Sequence, residues 1–117
     1  MPIIGLGTGT SPLPSNEALT SILVDAIDIG YRHFDTASIY GTEEPLGKAV
    51  SKALELGFIE NRDEVFITSK LWCTDAHHDL VLKALKTTLK QALFSRTFSF
   101  KAVFFPSLIL LFFIGIV

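Results

Sequence analysis

Three times in the first 93 residues, a short apolar run is followed by a longer stretch whose apolar residues recur every three or four positions. That alternation constrains the fold more than any other feature of the chain. Ile3-Ile4-Gly5-Leu6-Gly7, ended by Thr8, reads as a buried strand. Beyond the loop Ser11-Pro12-Leu13-Pro14, Ser15 is a suitable N-cap. It precedes a helix with Ala18, Leu19, Ile22, Leu23, Ala26 and Ile27 at helical spacing, stopped at Gly30. Tyr31 to Asp35 reads as a second strand, and the polar stretch from Ala37 to Thr42 as a loop. Leu46, Ala49, Val50, Ala53 and Leu54 mark a second amphipathic helix, closed by Gly57. Val65-Phe66-Ile67-Thr68, β-branched and aromatic, is a third strand. A third helix is expected from about Asp79, with Leu82, Leu85 and Leu89 along one face. The order β-α-β-α-β-α sets the strands parallel, joined by right-handed crossovers, so the expected class is α/β.

With 117 residues the chain has room for one ordinary domain. Hydrophobic residues make up 49% and charged residues 19%, which excludes a chain disordered by composition. The formal charge is −2 and no basic cluster is present, which argues against a nucleic-acid surface. The single cysteine, Cys73, has no partner for an internal disulfide and is expected to pack at a strand end. Met1-Pro2 runs through Ile3-Ile4 into Gly and Thr rather than into a basic and then long apolar signal sequence. Both features fit a cytoplasmic setting.

A seam lies near Phe94. Seven of the ten Phe fall at or after it, and the only charges beyond it are Arg96 and Lys101. Residues 1–93 are patterned; residues 94–117 show neither helical periodicity nor strand alternation. Their excess of Phe, Leu, Ile, Val and Ser is what uridine-rich codons encode, as in a retained intron or a stretch unrelated to residues 1–93. A tail anchor in a membrane is the alternative. Ala102–Val117, 16 residues, would reach roughly 24 Å as a helix against a hydrocarbon core of about 30 Å, and Pro106 interrupts it.

Asp35 ends the second strand, Tyr40 stands in the loop after it, and Lys70 ends the third strand. In a parallel α/β sheet these positions lie at the C-terminal strand ends, where active sites are built. A phenol ordinarily holds its proton to a pKa of about 10. A neighbouring ammonium favours the phenolate, and a carboxylate keeps that ammonium charged and oriented. Such a phenol can protonate an oxygen gaining negative charge, a general-acid role. Spacing alone leaves the bland reading equally open: a structural Asp35–Lys70 ion pair with Tyr40 as a loop aromatic.

Other groups have plain structural readings. Asp75, His77, His78 and Asp79 lack a metal-site spacing and are expected to cap the third helix without a metal. Gly5, Gly7 and Gly9 are followed by Ser11-Pro12 and Pro14 rather than a helix, so no dinucleotide-binding glycine loop is expected there. Glu43, Glu44, Lys48 and Lys52 form i,i+4 pairs expected on an exposed helix face.

The segments MPIIGLGTGTSP, GYRHFDTASIYGTEEPLGKAV and DEVFITSKLWCTDAHHDLVLKAL closely resemble the N-terminal part of aldo-keto reductases. Within that family the likeness falls in the plant branch of chalcone, codeinone and methylecgonone reductases. It covers residues 1–93 almost without gaps, and the DTAxxYG block followed by TSKLW is highly specific. The resemblance implies about the first three βα units of a (β/α)8 TIM barrel, followed by a divergent hydrophobic tail. It also implies NADPH-dependent reduction of a small-molecule aldehyde or ketone to an alcohol. By resemblance Tyr40 is the general acid, tuned by Lys70 and Asp35. Gly7, Thr8 and Asp35 match positions near the nicotinamide and its ribose, and Trp72 matches an aromatic wall of the substrate pocket.

The family's fourth catalytic residue, a His in a segment resembling DLYLIHWP, has no counterpart here, because the sequence diverges at Phe94. His33 shares a strand face with Asp35 but lies about 6.6 Å deeper, and His77 and His78 fall at the start of the third helix. The phosphate-binding residues of the last barrel strands and the usual N-terminal hairpin have no counterpart either. The expectation is a truncated reductase, inactive alone and weak in NADP(H) binding. Two alternatives are a non-catalytic short isoform that associates with itself or a partner through open sheet edges, and a tail-anchored fragment. The tail is expected to fold back over the barrel-interior face or to drive association, without forming a regular fourth strand.

Overall fold

The computed structural model describes residues 1–91, 100–104 and 110–114, the last two segments as backbone strands. The described elements run β1 (Leu6–Gly7), α1 (Asn16–Asp28), β2 (His33–Asp35), α2 (Glu43–Glu55), β3 (Phe66–Leu71), α3 (His78–Gln91), β4 (Phe100–Phe104) and β5 (Leu110–Ile114). Short 3₁₀ turns occupy Ser38–Tyr40, Arg62–Glu64 and Cys73–Asp75. β1, β2 and β3 are parallel, with Leu6 opposite Phe34 and Asp35 opposite Thr68. The three βα units expected from the alternation are therefore present.

Local chemistry explains the helix boundaries. Ser15 Oγ accepts a hydrogen bond from the Ala18 amide at 3.3 Å, one of the otherwise unpaired donors of the first turn of α1. α1 ends ahead of Gly30, whose φ of 107° suits a residue without Cβ. α2 carries Glu43 and Glu44 in its first turn and Lys52 in its last, the charge order that the helix dipole favours.

The core lies between one face of the sheet and the two helices α1 and α2. Phe34 and Ile67 reach down from the strands, and Leu19, Leu23, Ile27, Leu46, Ala49, Val50 and Ala53 meet them from the helices. A smaller cluster forms where Val81, Ala84 and Leu85 of α3 pack on Leu71. The other face of the sheet carries His33, Asp35, Phe66, Thr68 and Lys70, because successive side chains of a strand alternate.

Several expectations change. The first strand shrinks to Leu6–Gly7, and Ile3 and Ile4 are exposed, since an edge strand paired to a three-residue neighbour has no partner for a longer ladder. Ile22 lies outside and Val24 inside α1. In α3 the inward positions are 81, 84, 85 and 88, so Leu82 is 65% exposed. Cys73 does not pack at a strand end: it stands exposed in the turn after β3. Glu43 is buried rather than part of an exposed charged face.

The tail departs most. β4 and β5 pair antiparallel, and β5 pairs antiparallel with β3, giving the sheet order β1-β2-β3-β5-β4. The described parts of residues 94–117 thus lengthen the sheet at the edge of β3 instead of lying over its open face. Backbone pairing asks for extended chain and unpaired N–H and C=O groups, not for alternating polarity. No helix among the described residues is long and apolar enough to cross a membrane. The remaining parts of the Ala102–Val117 anchor reading lie outside the described residues.

Candidate active site

The open face of the sheet converges on one rim. Asp35 is the last residue of β2 and Lys70 the penultimate residue of β3. In register Asp35 faces Thr68, so Lys70 lies one pleat repeat further along, on the same face. Its ammonium pairs with Asp35 Oδ1 and donates to the Thr36 carbonyl at 3.0 Å. It also stands over the Tyr40 ring, 5.0 Å from the centroid. Asp35, Tyr40 and Lys70, separated by up to 35 residues in sequence, thus share one cluster.

Tyr40 closes the 3₁₀ turn Ser38–Tyr40 that follows β2. Gly41, at φ 68°, then turns the chain into α2, a left-handed conformation that other residues adopt at a cost. Gly9 lies against the ring: a Cβ there would stand 3.1 Å from Tyr40 Cε2, so the absence of a side chain makes room for the phenol.

Beneath the rim lies a hydroxyl network that sequence spacing does not reveal. Thr42 Oγ1 is 2.7 Å from Thr8 Oγ1 and 2.8 Å from Thr36 Oγ1, and all three side chains are buried. Thr8 donates from its amide and its hydroxyl to the Asp35 carbonyl, at 2.9 and 3.1 Å. β1, β2 and the Tyr40 turn are thereby stitched together directly below Asp35. Thr8 accordingly spends its hydroxyl inside the protein. Gly7 has open space where a Cβ would stand, leaving backbone accessible. Trp72 follows β3 directly and is 45% exposed.

Other polar residues fall elsewhere. His33 Nε2 lies 3.0 Å from Thr68 Oγ1 and its ring meets Phe66 edge-on, one pleat below Asp35. His77, His78 and Asp79 bring one ligand atom each within 4.8 Å of one another, all exposed, at the start of α3. On the helix side of the sheet, Ser69 Oγ donates to Glu43 Oε1 at 2.6 Å. Burial raises the Glu43 carboxyl above its ordinary value of 4.5, and the Ser69 and Thr88 hydroxyls oppose that rise.

Chemically, the rim offers a phenol beside an ammonium that a carboxylate and a carbonyl hold in place. The model of the Aldo/keto reductase family matches residues 3–94. The chain belongs to this family. Protein REDOX 2 of Catharanthus roseus is 56% identical over 91 residues, covering 77% of this chain and 28% of that protein. Rhazimal reductase 2 of Alstonia scholaris is 58% identical over 90 residues, with 76% and 28% covered. NADPH-dependent codeinone reductase 1-4 of Papaver somniferum is 53% identical over 90 residues, with 77% and 28% covered. The chain therefore spans under a third of the length of these relatives. Among solved structures, the Bombyx mori aldo-keto reductase in complex with NADP superposes with a TM-score of 0.72 at 37% identity. That match covers 79% of this chain and 31% of the other. The three parallel βα units thus correspond to part of the aldo-keto reductase structure that they superpose on.

Proposed function

We propose that the Asp35, Tyr40 and Lys70 rim is the N-terminal part of a site for NADPH-dependent reduction of an aldehyde or ketone to an alcohol. The observation that carries this reading is the convergence of a phenol and a carboxylate-held ammonium at the C-terminal ends of parallel strands. Support comes from relatives whose names include NADPH-dependent codeinone reductase and from the NADP complex of the silkworm enzyme. Tyr40 acts as general acid, giving its phenolic proton to an oxygen gaining negative charge. Lys70 favours the phenolate left behind, and Asp35 with the Thr36 carbonyl keeps Lys70 oriented. Trp72 forms one wall of the substrate pocket.

The cluster fits the nicotinamide end of the cofactor. Gly7 leaves its backbone open, and Asp35 offers a half-exposed carboxylate. NADPH, when bound, supplies the hydride. The cation of the cluster, Lys70, is already neutralised by Asp35 and is not available to the cofactor's phosphates. Residues 1–93 are the reductase portion in this reading, and residues 94–117 are unrelated to it. The free, exposed Cys73 suits a reducing, cytoplasmic setting.

An exchange experiment tests the reading. Residues 1–93 are spliced into the Papaver somniferum codeinone reductase in place of its matching segment. The chimera is expected to reduce that enzyme's carbonyl substrate with NADPH, and Tyr40→Phe to slow it by about 10²–10⁴. A Tyr40→Phe chimera as fast as its parent would overturn the assignment. The chain by itself is expected to bind NADPH more weakly than micromolar, short of about −8.2 kcal/mol, as read by fluorescence titration.

A further inference from the structure

Glu43 opens α2 and is only 2% exposed, a burial that carboxylates rarely adopt. Its Oε1 accepts from Ser69, the Thr88 hydroxyl of α3 also acts on the carboxyl, and Oε2 is buried with no partner at hydrogen-bond distance. Stability alone would be served as well by an apolar side chain of similar volume. What such a side chain cannot do is accept the Ser69 proton.

The two ends of that hydrogen bond lie next to the two reacting side chains. Glu43 follows Tyr40 by three residues, through the left-handed Gly41 and the buried Thr42. Ser69 immediately precedes Lys70, on the opposite face of β3. A bond that fixes Ser69 on the helix side therefore fixes where Lys70 leaves the sheet on the open side. The Ser38 hydroxyl, donating to the Lys70 carbonyl at 3.3 Å, joins the same turn to the same strand from above. The Thr42 hydroxyl already ties this turn to β1 and β2; its ties to β3 are the exposed Ser38 contact and the buried Glu43–Ser69 bond.

We infer that Glu43 is a positioning residue: through Ser69 it clamps the turn that carries Tyr40 to the strand that carries Lys70, and so sets the 5.0 Å separation between ammonium and ring. The inference rests on reading Tyr40 and Lys70 as the reacting pair. Glu43 touches neither substrate nor cofactor in this role.

The test uses the full chain and reads the nuclear magnetic resonance shift of the Lys70 ε-methylene protons, which the Tyr40 ring current displaces. Tyr40→Leu supplies the undisplaced reference. Glu43→Gln keeps an acceptor for Ser69 and is expected to retain the displacement. Glu43→Ala is expected to lose it while the methyl signals of Leu23, Ile27 and Leu46 stay dispersed. Ser69→Ala removes the donor without altering the carboxyl, is expected to give the same loss, and serves where Glu43→Ala does not fold. An unchanged displacement in Ser69→Ala, or its loss in Glu43→Gln, would overturn the inference. The readout needs neither cofactor nor turnover, so it is separate from the question of carbonyl reduction.

Discussion

A lysine ammonium has three hydrogens to place, and Lys70 has Asp35, the Thr36 carbonyl and the Tyr40 ring around it. Each partner comes from β2 or the turn after it, so one side chain of β3 reports on the geometry of its neighbour. Glu43 is the residue whose burial has the clearest pH signature. Its carboxyl is raised above 4.5 in the folded chain, so burial favours the protonated form. The associated stability is fully present below about 4.5 and lost as pH rises through the higher folded value. Glu64 behaves oppositely, held low by the Asn61 and Glu60 amides, but it is common to parent and variant and cancels in a comparison. Glu43→Gln is therefore expected to gain stability relative to the parent as pH rises from 4 toward neutrality, with the two converging in acid. Denaturant midpoints measured across that range check the sign.

At the scale of elements, what matters is which helix stripe faces the sheet. α1 and α2 meet Phe34 and Ile67 across a continuous core, whereas α3 touches the sheet chiefly through Leu71. Equal-looking leucines should consequently differ in cost. Leu46→Ala, at a fully buried position of α2, is expected to destabilise by about 2–5 kcal/mol. Leu82→Lys, on the outer side of α3, should stay within about 0.5 kcal/mol of the parent. Chemical denaturation of both variants measures the contrast, and a large cost at Leu82 would mean that another surface covers α3.

At the scale of the whole molecule, the sheet order decides where association begins. β5 occupies the outer edge of β3 over five registered pairs, Ile67 to Leu71 against Ile114 to Leu110. That leaves β1 and β4 as the edges of the described sheet. The apolar composition of residues 94–117 suggests that removing them raises solubility. The strand pairing reverses that expectation. Deleting residues 94–117 strips the ladder partner from β3 and exposes a row of backbone donors and acceptors, a template for pairing with another chain. The shortened chain is expected to associate more than its parent in sedimentation at equal concentration. Greater solubility after deletion would show that β4 and β5 cover nothing that needs covering.

The sequence by itself determined the alternation of strands and helices, the helix stops at Gly30 and Gly57, and the placement of Asp35, Tyr40 and Lys70 at or just after strand ends. Periodicity and strand-end position are local properties, and both are written in short windows of residues. The tertiary structure alone decided which faces are buried. Ile22 and Leu82 satisfy a helical spacing yet point outward, and Val24 and Glu43 do the reverse, because burial depends on what packs opposite and not on the helix itself. The Thr8, Thr36 and Thr42 hydroxyl network was illegible for the same reason: its members come from three strand and turn segments, and no spacing rule connects them. The antiparallel seat of β5 was hidden too, since an edge strand is recruited by the open backbone groups of its neighbour, which leave no mark on side-chain pattern.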